Sequence, residues 1–174
     1  MQQSLKSYVE QLQHKNGLPT VTPPKNLLAE LRPYQQEGFE WLVFMRDQQF
    51  GAVLADDMGL GKTVQLISYL LHLYEGIGEK KPTLIICPTS VLGNWQKELA
   101  RFAPSLSVHT HYSSNRLKDE ALVKFLETDP PQVVLSTYGT ISQDVDFLDK
   151  VRWATITLDE AQNIKNMQTM QSRA

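Results

Sequence analysis

Residues 56–63 read DDMGLGKT, and this stretch decides the fold because of what lies on either side of it. The apolar run 52–55 precedes it, and the segment 64–74 that follows has apolar residues at helical spacing. A strand, a glycine-containing turn and a helix in this order are typical of a phosphate-binding loop, in which backbone N–H groups and the positive end of the helix surround an anion. The stretch therefore predicts an α/β fold built around a bound phosphate group.

The side chains of this loop fit a nucleoside triphosphate with its Mg²⁺. Lys62 can reach the outer phosphates, and the hydroxyl of Thr63 can coordinate the metal ion. The pattern GxxxxGK[ST] is matched except at its first position, where Asp56 replaces glycine. Gly59 and Gly61 remain where the backbone comes closest to a phosphate, so the assignment stands. The predicted nucleotide-binding residues are Asp57, Met58, Gly59, Leu60, Gly61, Lys62 and Thr63, with Lys62 also catalytic and Thr63 also a metal ligand.

The composition of the chain indicates one soluble, intracellular globular unit. The 174 residues are 41% hydrophobic, which is enough for a substantial core. The 19 acidic and 17 basic residues nearly cancel, so any contact with nucleic acid must be local. Cys87 is the only cysteine, which excludes an internal disulfide and a cysteine-based zinc site. No apolar run reaches the roughly 18 residues of a membrane span.

Two segments precede the loop. Residues 1–30 combine a short helical pattern with the stretch NGLPTVTPPKN, which predicts the tail of an upstream region and a proline-containing linker. Residues 31–48 predict a helix with Pro33 in its first turn. Gln35 lies early in this helix, where its amide either is solvated or reads the adenine edge of a nucleotide held by the loop.

After the loop, apolar runs alternate with helical patterns. We expect strands over residues 83–87, 106–112, 132–137 and 153–158, and helical segments over residues 89–102 and 116–127. This order predicts a parallel α/β sheet, in which ligands bind beyond the carboxyl ends of the strands. The loop and the pair Asp159-Glu160 both follow strands directly, so both are expected at that edge.

The acidic pair supplies the remaining chemistry of a triphosphatase. Asp159 is placed to hold Mg²⁺, usually through water, opposite the hydroxyl of the loop. Glu160 can orient and deprotonate the attacking water, a role typically worth about 10²- to 10⁴-fold in rate. His109 and His111 form a separate pair on one face of a strand, and without a nearby third ligand we expect this pair to be structural.

Five ordered motifs make the chain resemble a known family. They read LRPYQ, DDMGLGKT, ICPTSVLGNWQKE, STYGT and LDEAQNIKN. In this order they resemble the Swi/Snf-type (Snf2 family) DNA-dependent ATPases of helicase superfamily two, which usually have aspartate at the position of Asp56. The resemblance implies a P-loop, RecA-like parallel sheet with helices on both faces over residues 31–174. That lobe would be the N-terminal ATP-binding part of a motor that translocates on double-stranded DNA. The motor would bind ATP and Mg²⁺ as cofactors and act on a DNA-bound protein complex.

The resemblance also implies roles for particular residues. Gln35 would contact adenine, the loop would hold the phosphates, and Asp159 and Glu160 would be the metal-binding and water-activating carboxylates. Five residues match segments that contact the DNA backbone in this family: Thr89, Ser90, Asn94, Thr137 and Tyr138.

Alternatives stay open for single residues and for the whole chain. Thr89 or Ser90 can instead cap a helix, Tyr138 can lie in the core, and Trp95 can pack its helix onto the sheet. The first rival function is an RNA helicase of the same superfamily, whose DEAD-box members have aspartate at the position of Gln162. The second is a non-catalytic module that uses the lobe as a binding surface.

The matched motifs end before the lobe of this family does. There a further strand lies between the phosphate-loop strand and the Asp159 strand, and a second RecA-like lobe supplies the arginines that complete the ATP site. We therefore expect a lobe that is incomplete at its C-terminus, with a gap in mid-sheet and exposed apolar edges. We also expect these residues alone to bind nucleotide weakly and to turn it over little.

Overall fold

The computed structural model describes residues 20–47, 52–55 and 60–159. The helices are α1 (Pro33–Asp47), α2 (Leu60–Leu71), α3 (Leu92–Phe102), α4 (Asp119–Thr128) and α5 (Tyr138–Leu148), with a π-helical turn (His72–Ile77) after α2 and a 3₁₀ turn (Thr89–Val91) before α3. The strands are β1 (Ala52–Ala55), β2 (Thr83–Cys87), β3 (Val108–His111), β4 (Val133–Thr137) and β5 (Thr155–Asp159). None of the described helices is both long and apolar enough to cross a membrane.

The five strands form one sheet in the order β1-β5-β2-β4-β3, and every neighbouring pair is parallel. The parallel sheet and the strands after the loop are therefore confirmed, with ends that differ by at most two residues from those expected. The predicted helix over residues 116–127 begins later, at Asp119, because the backbone of Lys118 is extended. The side chain of Arg116 instead binds Asp144 of α5.

The expected gap in mid-sheet is wrong for this structure. Strands β1 and β5 are direct neighbours, with register pairs that run from Ala52 opposite Ile156 to Ala55 opposite Asp159. The physical reason is that buried backbone N–H and C=O groups require partners. With no described strand between them, two strands of similar length satisfy each other.

Helices cover both faces of the sheet, as predicted, and each face has its own apolar cluster. Helices α1, α2 and α3 pack on one face around Phe39, Ile67 and Ile85. Helices α4 and α5 pack on the other face around Leu122 and Ile141, where Leu84 and Ile86 of β2 point. Successive residues of β2 thus alternate between two buried faces, which explains why the strand reads as a continuous apolar run.

The described part of the segment before α1 lies on the first of these faces. Leu27 is buried in the cluster, and the backbone N–H of Leu28 donates to the carbonyl of Phe102 at 2.8 Å. The Nε2 group of Gln36 donates to the carbonyl of Val21 at 2.6 Å. Residues 20–31 are therefore fastened to the sheet domain, while the predicted helix over the first residues lies outside the described part of the chain.

Candidate active site

The candidate site lies at the carboxyl edge of the sheet, between β1 and β5. Helix α2 begins at Leu60, within the stretch predicted to bind phosphate, and Thr63 is buried in its first turn. Ala55, the last residue of β1, is the register partner of Asp159, so the loop starts beside this carboxylate. The structure thus brings the helix that carries Thr63 and the end of β5 together. The predicted residues Asp57, Met58, Gly59 and Glu160, and also Asp56, lie outside the described residues, and for Leu60, Gly61 and Lys62 only the helical backbone is described.

Asp159 is held in place by two aromatic side chains. Its side chain is only 3% exposed, and its Oδ2 accepts a hydrogen bond from the indole Nε1–H of Trp95 at 2.7 Å. Its backbone carbonyl accepts a hydrogen bond from the hydroxyl of Tyr138 at 2.5 Å. Trp95 packs α3 onto the sheet as the structural alternative predicted, since it is 2% exposed. Its bond to Asp159 was not predicted, because the two residues are 64 positions apart.

The donor atoms at this edge fit a magnesium ion. A threonine hydroxyl and an aspartate carboxylate are hard oxygen ligands, which Mg²⁺ prefers over nitrogen or sulfur. Both side chains are buried, Thr63 in the first turn of α2 and Asp159 at the end of β5. Thr63 and Asp159 are accordingly the described residues that could hold the metal.

Gln35 is buried at the start of α1, so the alternative of a solvated side chain is wrong. Its Oε1 accepts a hydrogen bond from the backbone N–H of Arg32 at 2.8 Å. This is the return half of a capping box, in which the third residue of a helix satisfies the N–H of the capping position. The amide NH₂ is then the part of Gln35 that can donate to an adenine.

The residues predicted to contact DNA divide into two groups by exposure. Thr89, Ser90 and Asn94 are exposed at the start of α3. Thr137 is 1% exposed, and its hydroxyl accepts a hydrogen bond from the backbone N–H of Thr140 as the N-cap of α5. Tyr138 is half-buried.

The predicted capping role of Thr89 or Ser90 is wrong. Neither the 3₁₀ turn nor α3 has a side-chain cap, and the residues at their capping positions are Pro88 and Val91. The 3₁₀ turn inserted after β2 takes up both hydroxyl-bearing residues, so they lie before the capping position of α3.

A second polar cluster lies at the opposite edge of the sheet, where β3 ends. His111 and Arg116 both contact Oδ2 of Asp144, each at 2.7 Å. Burial lowers the pKa of His111, and Asp144 offsets this only in part. His109 packs its ring edgewise on Phe125, with ring centroids 5.1 Å apart. No group of three or more metal-binding side chains is found within the described ranges.

Comparisons with known proteins agree with this geometry. The model of the SNF2-related domain matches residues 34–174. YwqA of Bacillus subtilis, named as an ATP-dependent helicase/translocase, is 49% identical over 174 residues, which are 100% of this chain and 19% of YwqA. The chromatin-remodeling ATPase INO80 of Sclerotinia sclerotiorum is 37% identical over 156 residues, which cover 86% of this chain and 9% of that protein. The SWI2/SNF2 ATPase core of Sulfolobus solfataricus in complex with dsDNA is 39% identical, with a TM-score of 0.71, over 88% of this chain and 31% of that one.

The parallel sheet, the helices on both faces and this structural likeness define a RecA-like α/β lobe, as predicted. The chain belongs to the SNF2-related domain family, which confirms the resemblance drawn from the five motifs. It spans about a fifth of the length of YwqA and about three tenths of the Sulfolobus ATPase core.

Proposed function

We propose that the protein carrying this chain is a DNA-dependent ATPase that couples ATP hydrolysis to translocation on double-stranded DNA. Residues 31–174 would form its N-terminal ATP-binding lobe. The observation that carries the proposal is the buried Asp159 carboxylate at the end of β5, directly beside the end of β1 where the loop begins. A buried carboxylate next to a phosphate-loop helix is the arrangement that nucleotide hydrolysis requires.

Each group at this edge has a task in that reaction. The loop backbone and Lys62 bind the phosphates, and the amide of Gln35 donates to the adenine. Thr63 and Asp159 hold Mg²⁺, which when bound neutralises charge on the phosphate oxygens. Glu160, the next residue after the end of β5, orients the attacking water and takes its proton.

DNA contact is assigned to the surface formed by Thr89, Ser90 and Asn94, with Thr137 and Tyr138 at the start of α5. The first three side chains are exposed and polar, which suits hydrogen bonds to phosphate oxygens without reading of bases. The buried hydroxyl of Thr137 would contribute through the helix terminus that it caps. Double-stranded DNA, a second RecA-like lobe and a DNA-bound protein complex are the proposed partners, in the cytoplasm of a prokaryote or the nucleus of a eukaryote.

Two substitutions in the intact protein test the proposal. Lys62→Ala should abolish ATP turnover and strongly weaken nucleotide binding, because the phosphates lose their cation. Glu160→Gln should abolish turnover while calorimetry still detects Mg·ATP binding. Normal hydrolysis by the Glu160→Gln variant would remove that residue from catalysis, and an intact wild-type protein that does not bind Mg·ATP would favour the non-catalytic module. Stimulation by duplex RNA but not by duplex DNA would favour the RNA helicase.

A further inference from the structure

We infer that Trp95 and Tyr138 are positioning residues for the two catalytic carboxylates, with Trp95 acting on Asp159 and Tyr138 on Glu160. The inference rests on the proposed function, because it assigns Asp159 to the metal and Glu160 to the attacking water. It goes further by naming the groups that hold these carboxylates in their reactive orientation.

Trp95 fixes the side chain of Asp159. Its indole N–H is a single donor on a rigid ring, and it donates to Oδ2 at 2.7 Å, which is at the short end for a nitrogen donor. The ring is 2% exposed within α3, so it cannot turn away without opening the core. One oxygen of Asp159 is thereby fixed, which also fixes the plane in which the other oxygen lies. Partners of this kind, one step removed from a metal, orient its ligands.

Tyr138 fixes the peptide group that joins Asp159 to Glu160. Its hydroxyl donates to the backbone carbonyl of Asp159, and that oxygen belongs to the planar peptide whose nitrogen is that of Glu160. The tyrosine is the first residue of α5, directly after the N-cap Thr137, so its backbone is anchored by the helix terminus. This peptide joins Asp159 to Glu160, so the bond from Tyr138 restricts its rotation.

Loss of each bond should affect a different property, either metal binding or kcat, whereas a general loss of structure would affect both. Losing the bond from Trp95 should weaken metal binding, because the ligand carboxylate becomes free to rotate. Losing the bond from Tyr138 should lower kcat but leave metal binding intact, because only the base is displaced. The chain provides a matched control for each: Trp153 donates its indole N–H to the carbonyl of Leu148 at 3.0 Å, and Tyr74 donates its hydroxyl to the carbonyl of Lys81 at 2.7 Å.

The first test is Trp95→Phe in the intact protein, with Trp153→Phe as control. Electron paramagnetic resonance of Mn²⁺, with a non-hydrolysable ATP analogue present, should show about tenfold weaker metal binding for Trp95→Phe alone. Affinity for the analogue in EDTA should not change. Wild-type metal affinity in the folded Trp95→Phe variant would overturn the role of Trp95. If that variant does not fold, the indole resonance of Trp95 in the wild-type protein, assigned with Trp41→Phe and Trp153→Phe, should shift on addition of Mg²⁺, and no shift would overturn it.

The second test is Tyr138→Phe, with Tyr74→Phe as control. We expect kcat for ATP to fall by about tenfold in Tyr138→Phe, since small misplacements of a reacting group cost one to two orders of magnitude. KM for ATP and Mn²⁺ affinity should stay at wild-type values. An unchanged kcat, or equal losses in kcat and in metal affinity, would overturn the assignment. These outcomes can be told apart from a failure of the proposed function, because in that case the wild-type protein itself would not bind or hydrolyse Mg·ATP.

Discussion

At the scale of single residues, the cluster at the end of β3 shows how one carboxylate controls two basic groups. Burial raises the pKa of Asp144, but hydrogen bonds from Arg116 and His111 outweigh it, so its pKa lies below 3.8. Burial lowers the pKa of His111 below 6.5, against the opposing effect of Asp144. Because Asp144 is ionised, Nε2 of His111 must carry the proton of the neutral ring and donate it.

This cluster predicts that the protein loses stability as the pH falls. The unfolded chain binds a proton on His111 near pH 6.5, whereas the folded chain resists it, so stability falls as the pH drops from 6.5 towards the lower pKa of the folded state. Asp144 adds a second loss below about pH 3.8. The midpoint of thermal unfolding should therefore be lower at pH 5.5 than at pH 7.5.

The variant His111→Gln isolates the contribution of His111, because glutamine keeps a donor for Asp144 but does not titrate. Its thermal midpoint should depend less on pH over the same range. The variant His109→Gln measures the corresponding contribution of the neighbouring His109, whose pKa is also lowered by burial. A His111→Gln variant with the same pH dependence as the wild-type protein would contradict the assignment.

Sequence reasoning found Asp159 but not the residue that holds it. Asp159 follows an apolar strand in a chain with a phosphate loop, and both signals are local in sequence. Trp95 reads only as a large apolar residue at helical spacing, which predicts packing. Its indole N–H reaches Asp159 because β2, which precedes α3, lies beside β5 in the sheet. The order of strands in a sheet cannot be predicted from local residue spacing.

At the scale of elements, two threonines on one face of β5 differ in whether their buried hydroxyl groups have a hydrogen-bond partner. Thr155 and Thr157 both point to the buried side with Asp159. The hydroxyl of Thr155 lies 3.2 Å from that of Tyr69 in α2, so one donates to the other. The hydroxyl of Thr157 is buried with no hydrogen-bond partner among the described residues. A buried hydroxyl without a partner costs stability that the same hydroxyl with a partner does not.

Valine at these two positions should therefore have opposite effects. Thr155→Val loses a buried hydrogen bond and should lower the free energy of unfolding by about 1 kcal/mol. Thr157→Val removes an unsatisfied group of nearly the same volume and should leave that free energy unchanged or raise it by up to about 1 kcal/mol. Urea denaturation of both variants measures the difference. A loss for Thr157→Val as large as that for Thr155→Val would mean that Thr157 does have a partner.

Elements were predictable where their pattern was periodic and bounded. The apolar run over residues 83–87 became β2 with the same ends. Helix α5 was not predicted, because YGTISQDVDFL mixes small polar residues with only a few apolar ones. Two of these, Ile141 and Leu148, are buried against the sheet, which local spacing does not reveal. The pairing of β1 with β5 was not predicted, because the resemblance implied a strand between them that no described residues form.

At the scale of the whole molecule, three of the described arginines lie away from the candidate ATP site. Arg116 is bound to Asp144 beside β3, at the far edge of the sheet from β1. Arg101 lies over the ring of Phe102, 4.9 Å from its centroid. Arg152 precedes β5 and so lies at the amino edge of the sheet, opposite the candidate site. None of these three arginines is placed to face the transferred phosphate, a role that the family resemblance assigns to a second lobe.

The 174 residues alone should therefore hydrolyse ATP far more slowly than the intact protein. An arginine that stabilises the transferred phosphate is worth about 10³- to 10⁵-fold in related reactions, so we expect a deficit of at least about 10³-fold in kcat. Steady-state phosphate release, with and without duplex DNA, measures both proteins, and Glu160→Gln in each gives the background from contaminating enzymes. DNA should stimulate only the intact protein, because coupling requires that the proposed DNA surface and a complete site act together. DNA-stimulated hydrolysis by the 174 residues at a rate near that of the intact protein would mean that this lobe already contains every catalytic group.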